Sequence, residues 1–143
     1  DDNLNAVLWV QRSAEYRALA EQTYRAAADH LDAALSASGK GKFAIVNLAC
    51  HSMPTFNNEE LERVNDIRYV KIVNRTVTAW ADKHDVPVID QYSLLCAGDK
   101  MHDTVNGVPL YEDSIHFTSE SGPIFWRWLA PQVQAVSRGE ELP

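Results

Sequence analysis

Apolar residues first recur along the chain with helical spacing. Tyr16, Leu19, Ala20, Tyr24, Ala27, Leu31 and Leu35 follow one another in short steps, mostly of three or four residues, which places them on one side of a helix of 3.6 residues per turn. A helix is therefore predicted from about Ser13, its N-cap, to Ala37, with Gly39 as the stop. Gly39-Lys40-Gly41 leads into Lys42-Phe43-Ala44-Ile45-Val46-Asn47-Leu48-Ala49, a short apolar run of the kind that forms a buried parallel strand. Cys50-His51-Ser52-Met53-Pro54 is read as the loop at its C-terminal end. A second helix is predicted to begin after Asn57-Asn58 and to reach about His84, with a break near Asn65-Asp66. Its apolar face is Ile67, Val70, Val73, Val77, Trp80 and Ala81.

Val86-Pro87-Val88-Ile89-Asp90 has the form of a second short strand. From Gln91 to Glu112 no period persists, and Gly98, Gly107 and Pro109 interrupt the segment. It is read as a long irregular connection with one turn of helix around Tyr92 to Leu95, and a loop of that length in a compact domain is usually a binding or catalytic one. A last helix is expected from Thr118 as N-cap, with Ile124, Phe125, Trp128, Leu129 and Val133 toward the core and Pro131 bending or interrupting it. The order helix, strand, helix, strand, loop, helix implies parallel strands joined by crossover helices, and so an α/β sandwich.

Composition acts mainly by exclusion. With 143 residues, 45% hydrophobic and 23% charged, the chain has material for a single core, so residues 1–143 are read as one domain. The net charge of -7 argues against nucleic acid and against anionic lipid, both of which need clustered Lys and Arg. No stretch approaches the roughly 20 apolar residues of a membrane span, and the opening Asp1-Asp2-Asn3-Leu4-Asn5 has neither a basic n-region nor an apolar h-region. So polar and abrupt a start is expected of a cut inside a longer protein. Cys50 and Cys96 are the only cysteines; the count permits either one disulfide or two thiols, and neither lies in a Cys-x-x-Cys pattern.

Candidate chemistry concentrates in Tyr111-Glu112-Asp113-Ser114-Ile115-His116-Phe117-Thr118, where a carboxylate and an imidazole lie three apart just before the predicted N-cap. A serine hydroxyl needs a neutral imidazole to take its proton, and a carboxylate to hold the imidazole in the right tautomer and stabilise the imidazolium. Asp113 and His116 suit those two roles. His51 and His102 with Asp113 and His116 could be imagined as a metal set, but no two histidines have a spacing that pre-forms one, and no metal or other cofactor is expected. Trp128 is read as core, and Trp126 as packing on a neighbour or lining a glycan-binding surface. Asn74-Arg75-Thr76 has the form of a glycosylation acceptor but falls inside a predicted helix. Arg63, Asp66 and Arg68 are read as a solvated charged face.

Asp113-Ser114-Ile115-His116-Phe117-Thr118-Ser119-Glu120-Ser121-Gly122 resembles the last sequence block of the SGNH (GDSL-like) hydrolase superfamily, in which Asp-x-x-His precedes the final helix. Gly107-Val108-Pro109-Leu110-Tyr111, Phe125-Trp126-Arg127-Trp128-Leu129-Ala130-Pro131 and the helix from Asn74 to Ala81 narrow the resemblance. They look like the SGNH domain fused behind bacterial acyltransferase-3 membrane domains. The resemblance runs from roughly Tyr16 to Val133.

What it implies is a flavodoxin-like three-layer α/β/α sandwich on a parallel sheet, lacking its first strand or strands, and a Ser-His-Asp triad with Asp113 as the orienting acid and His116 as the base. The implied reaction is O-acyl transfer to, or deacylation of, a cell-envelope glycan or other acylated carbohydrate, outside the cytoplasm, either with a fused membrane acyltransferase domain as partner or as a free-standing secreted esterase. That location favours a Cys50–Cys96 disulfide. The family's Gly-Asp-Ser nucleophile block and its Gly and Asn oxyanion blocks have no counterpart before Ser13. The expectation is a serine upstream of residue 1, with Ser52 as the internal alternative and a non-catalytic glycan- or partner-binding module as the rival reading.

Overall fold

The computed structural model describes residues 14–38, 42–50, 67–113 and 116–143. Its elements in chain order are α1 (Ala14–Ser38), β1 (Ile45–Val46), α2 (Ile67–His84), β2 (Val88–Ile89), α3 (Gln91–Leu95), β3 (Cys96–Ala97), β4 (Lys100–Met101), β5 (Thr104–Val105), β6 (Val108–Pro109) and α4 (Ser121–Arg138). β1 and β2 pair in parallel, Ile45 against Val88 and Val46 against Ile89, and α2 lies in the connection between them. Bonds from Ile45 N–H to the Pro87 carbonyl and from Asn47 N–H to the Ile89 carbonyl extend the pairing by one step at each end. Among the described residues this pair is the whole of the parallel sheet, and a three-layer arrangement is not among the features they present.

The predicted strand from Lys42 to Ala49 is thus much longer than the ladder observed. Beyond Asn47 the backbone of β1 turns to a side chain: Leu48 N–H donates to Asn74 Oδ1 at 2.7 Å, and Asn74 Nδ2 donates to the Leu48 carbonyl at 2.8 Å. One amide on α2 supplies the donor and acceptor that a neighbouring strand would otherwise provide. The Asn74-Arg75-Thr76 tripeptide is therefore committed to structure, since Asn74 is engaged and Thr76 is buried at 3% exposure with its hydroxyl on the Ile72 carbonyl.

Helix α2 buries the stripe the spacing predicts: Val70, Val73, Trp80 and Ala81 are buried together with Thr76. Helix α1 departs from its prediction. Leu19 and Leu31, read as part of its core face, are 59% and 47% exposed, and the half-buried side is Glu21, Tyr24, Ala28, Asp32 and Leu35. Polar contacts toward α2 explain the rotation. Tyr24 and Tyr69 share a hydroxyl hydrogen bond of 3.1 Å, Trp80 Nε1 donates to Asp29 Oδ1 at 2.7 Å, and His84 stacks on Trp80 while facing Asp29 and Asp32. The predicted N-cap Ser13, the stop at Gly39 and the break near Asn65-Asp66 lie outside the described residues.

The segment read as irregular is instead two hairpins, β3–β4 and β5–β6. Their turns are Gly98-Asp99 and Asn106-Gly107, all four residues with φ between 53° and 79°, the left-handed pair of a two-residue hairpin turn. Asp99 is held there by Lys71 Nζ and by the Tyr92 hydroxyl at 2.7 Å. Partial burial, with the bond to Asp99 adding to it, pushes the Tyr92 phenol up to about 12.

Helix α4 continues through Pro131 to Arg138 and closes on Gly139 in the left-handed conformation, so the expected interruption does not occur. Proline gives up the bond to the carbonyl four residues back and crowds it, but Pro131 stands on the exposed side, and Gln132, Ala135 and Val136 beyond it are buried. Val133, predicted inward, is 46% exposed. Gln132 takes the inner position because its Nε2 donates to the Trp128 carbonyl at 3.2 Å.

Candidate functional site

Three groups of residues converge at the C-terminal edge of the β1–β2 pair, the edge where open α/β sheets bind ligands. Beyond β1, buried Asn47 donates through Nδ2 to Asp90 Oδ1 at 2.7 Å and accepts from Tyr92 N–H at 2.9 Å. Asp90 also caps α3, receiving Ser93 N–H and the Ser93 hydroxyl. Burial pushes the Asp90 carboxyl up, but the bonds from Ser93, Asn47 and the backbone outweigh it and leave the group below its ordinary value of 3.8. Three residues past Asn47, Cys50 is joined to Cys96 by a disulfide with a Cα–Cα distance of 5.9 Å. Both cysteines are buried with Leu95 and Leu110, and Tyr92, Met101, Tyr111, Phe117 and Phe125 pack around that core.

Upon this core stands the loop that carries Asp113 and His116. Its two limbs are joined rung by rung: Thr118 N–H to the Leu110 carbonyl at 3.0 Å, a bridge between Tyr111 and Phe117, and Glu112 N–H to the His116 carbonyl at 2.9 Å. The Tyr111 and Phe117 rings stack at 5.2 Å, and Phe117 stacks in turn on Phe125 of α4 at 4.7 Å. The start of α4 ties down the same limb. Thr118 Oγ1 accepts Ser121 N–H and donates to the Pro109 carbonyl, while the Ser121 hydroxyl, fully buried, donates to the Leu110 carbonyl at 2.6 Å. Thr118 therefore performs the capping bond expected of it, and Gly122 N–H already bonds its carbonyl, although regular helix begins three residues later at Ser121.

At the tip, His116 Nδ1 lies 2.6 Å from Asp113 Oδ2, and His116 N–H donates to Asp113 Oδ1 at 2.8 Å. One carboxylate thus fixes both the backbone and the ring of the histidine and leaves Nε2 on the far side of the ring. The bond from Asp113 and its charge, with Glu112 adding a smaller field, raise the His116 pKa above its ordinary 6.5. Side-chain exposures of 74% for His116 and 50% for Asp113 put the pair at the surface, where an incoming group can reach it.

The structure brings Asp113 and His116 together, and it joins Cys50 to Cys96 beneath them. His51, Ser52, Arg63 and Asp66 lie outside the described residues. Among the described residues no cluster of His, Cys, Asp or Glu, with His102 or without it, could hold a metal ion. Trp128 is half-buried against Phe125, whereas Trp126 is 61% exposed. Among the described residues no serine or threonine hydroxyl is hydrogen-bonded to His116. A cleft of about 690 Å³ lies at the opposite edge of the sheet, lined by Lys42, Phe43, Pro87, Ala81 and Val136 with Asp32, Asp82 and Glu140 around it. Two contributors escape the sequence reading: Leu110, whose carbonyl receives both Thr118 and Ser121, and Asn47, a polar residue in an apolar run. No described helix is long and apolar enough to cross a membrane.

Comparison with protein-family models, with curated proteins and with solved structures finds no match to this chain.

Proposed function

We propose that this chain carries the acid and base of a serine-type acyl-transfer site, as an SGNH-like domain acting on an acylated carbohydrate or cell-envelope glycan outside the cytoplasm. The observation that carries this reading is the contact of Asp113 Oδ2 with His116 Nδ1, which orients the ring and leaves Nε2 to exchange protons. In the proposed reaction neutral His116 takes the serine proton at Nε2 as the hydroxyl oxygen attacks the ester carbonyl. Asp113 stabilises the imidazolium, which then protonates the departing alkoxide and leaves an acyl-serine. Water or a sugar hydroxyl, deprotonated by the same nitrogen, attacks the acyl carbonyl and restores the serine. Hydrolase and transferase differ only in that acceptor.

The serine is proposed to lie upstream of Asp1. The Cys50–Cys96 disulfide supports the extracytoplasmic setting, because such bonds persist where thiols are not kept reduced. The rival reading is a non-catalytic glycan- or partner-binding module that lacks the nucleophile.

Intact mass after exposure to a fluorophosphonate decides between them. The chain and a version extended upstream in its natural protein are treated, each with and without His116→Ala. Phosphonylation of the extended wild-type protein alone supports the reading; labelling of neither protein contradicts it in favour of the binding module, and labelling of this chain moves the nucleophile to an internal serine such as Ser52.

A further inference from the structure

We propose that the Cys50–Cys96 disulfide is a positioning element for the Asp113–His116 pair, acting through Leu110 and Phe117. Two hydrogen bonds join Asp113 to His116, but both side chains are exposed, and the backbone that carries them is set by the base of the loop. That base is Leu110, Tyr111, Phe117 and Thr118, and its inner side rests on the core formed by the two cysteines with Leu95 and Leu110. Leu110 is 2% exposed, and its carbonyl is the point at which Thr118 and Ser121 are fastened. Cys50 lies a few residues beyond β1, and Cys96 opens the hairpin region that runs into the loop. The bridge thus joins the edge of the parallel pair covalently to the chain that presents the acid and base, and Phe117 transmits that fixed surface to the limb bearing His116.

The bridge matters to catalysis only as far as His116 is the base, and in that respect the inference rests on the proposed function. Its structural core is tested without any turnover. Histidine ring resonances are titrated by NMR in the wild-type chain and in Cys50→Ala/Cys96→Ala, with His116 assigned by His116→Gln. The expected result is a His116 midpoint that falls toward 6.5 when the bridge is removed, with slow amide exchange at Ile89 and the far-ultraviolet dichroism unchanged. An unchanged His116 midpoint in the folded double variant overturns the proposal.

Should that variant not fold, Phe117→Leu keeps the bridge and cuts its route to the loop. The same fall is expected there, and a folded Phe117→Leu protein that titrates like wild type overturns the proposal. In the upstream-extended protein the double variant should be phosphonylated about tenfold to a hundredfold more slowly, the scale of a small misplacement of reacting groups. Absence of labelling in every version would remove the catalytic reading while the titration still judged the bridge.

Discussion

Asp113 holds His116 twice, through Oδ1 to the backbone N–H at 2.8 Å and through Oδ2 to Nδ1 at 2.6 Å. A carboxylate used in this way specifies the tautomer as well as the position of the ring, because Nδ1 must carry the proton that Asp113 accepts.

A pH dependence of known sign follows. The folded-state pKa of His116 is raised above 6.5, with the Asp113 hydrogen bond as the first cause. Its pairing therefore stabilises the fold fully below 6.5 and ceases to do so as pH rises through the folded value. Asp113→Asn removes the charge, and the His116 midpoint read by NMR should fall toward 6.5; a midpoint that stays raised would show that another group sets it.

At Asp90 the sign is opposite. Its folded pKa is below 3.8, so its contribution is present above 3.8 and is lost as pH falls through the folded value. Asp90→Ala removes the cap of α3 and the partner of Asn47 and should cost about 1–2 kcal/mol. Urea denaturation at pH 7 measures the cost, and the difference from wild type should shrink at the acid end.

Leu110→Ala empties the centre of the disulfide core and should cost about 2–5 kcal/mol, as buried leucine truncations do. The position is 2% exposed and lies directly below the loop, so thermal unfolding and His116 titration of this variant should both change.

Asn74→Ala leaves the Leu48 N–H and carbonyl without their partner amide. A loss of about 1 kcal/mol is expected from two partly solvated hydrogen bonds. Amide exchange at Leu48 should accelerate locally, while exchange at Ile89 should stay slow.

How much of this was readable beforehand depends on whether a residue's partner is set by local spacing. Val70, Val73, Trp80 and Ala81 announce a buried stripe because apolar residues at that period have one side to hide, and the Asp113–His116 spacing announces a pair because three residues span one turn of chain. Thr76 and Gln132 conceal their burial, since each satisfies its polar group on a carbonyl of its own helix, which no hydropathy pattern reveals. The outward turn of Leu19 and Leu31 is hidden for a related reason: Tyr24 and Asp29 find hydrogen-bonding partners on α2, and specific polar contacts override the apolar period. The segment around Asn106-Gly107 reads as irregular because the strands that this hairpin turn joins are two residues long and leave no alternation to read. The rungs from Leu110 to Thr118 and from Glu112 to His116 are backbone bonds, without a side-chain signature.

The upstream-extended protein offers the most direct test of His116 as the base. The rate of fluorophosphonate labelling, followed from pH 5 to pH 9, should rise along a single titration curve whose midpoint lies above 6.5 and coincides with the His116 midpoint measured by NMR, and His116→Ala should slow labelling by about 10²–10⁴-fold. Labelling that is indifferent to pH across this range, or that proceeds at the wild-type rate without His116, would contradict the account.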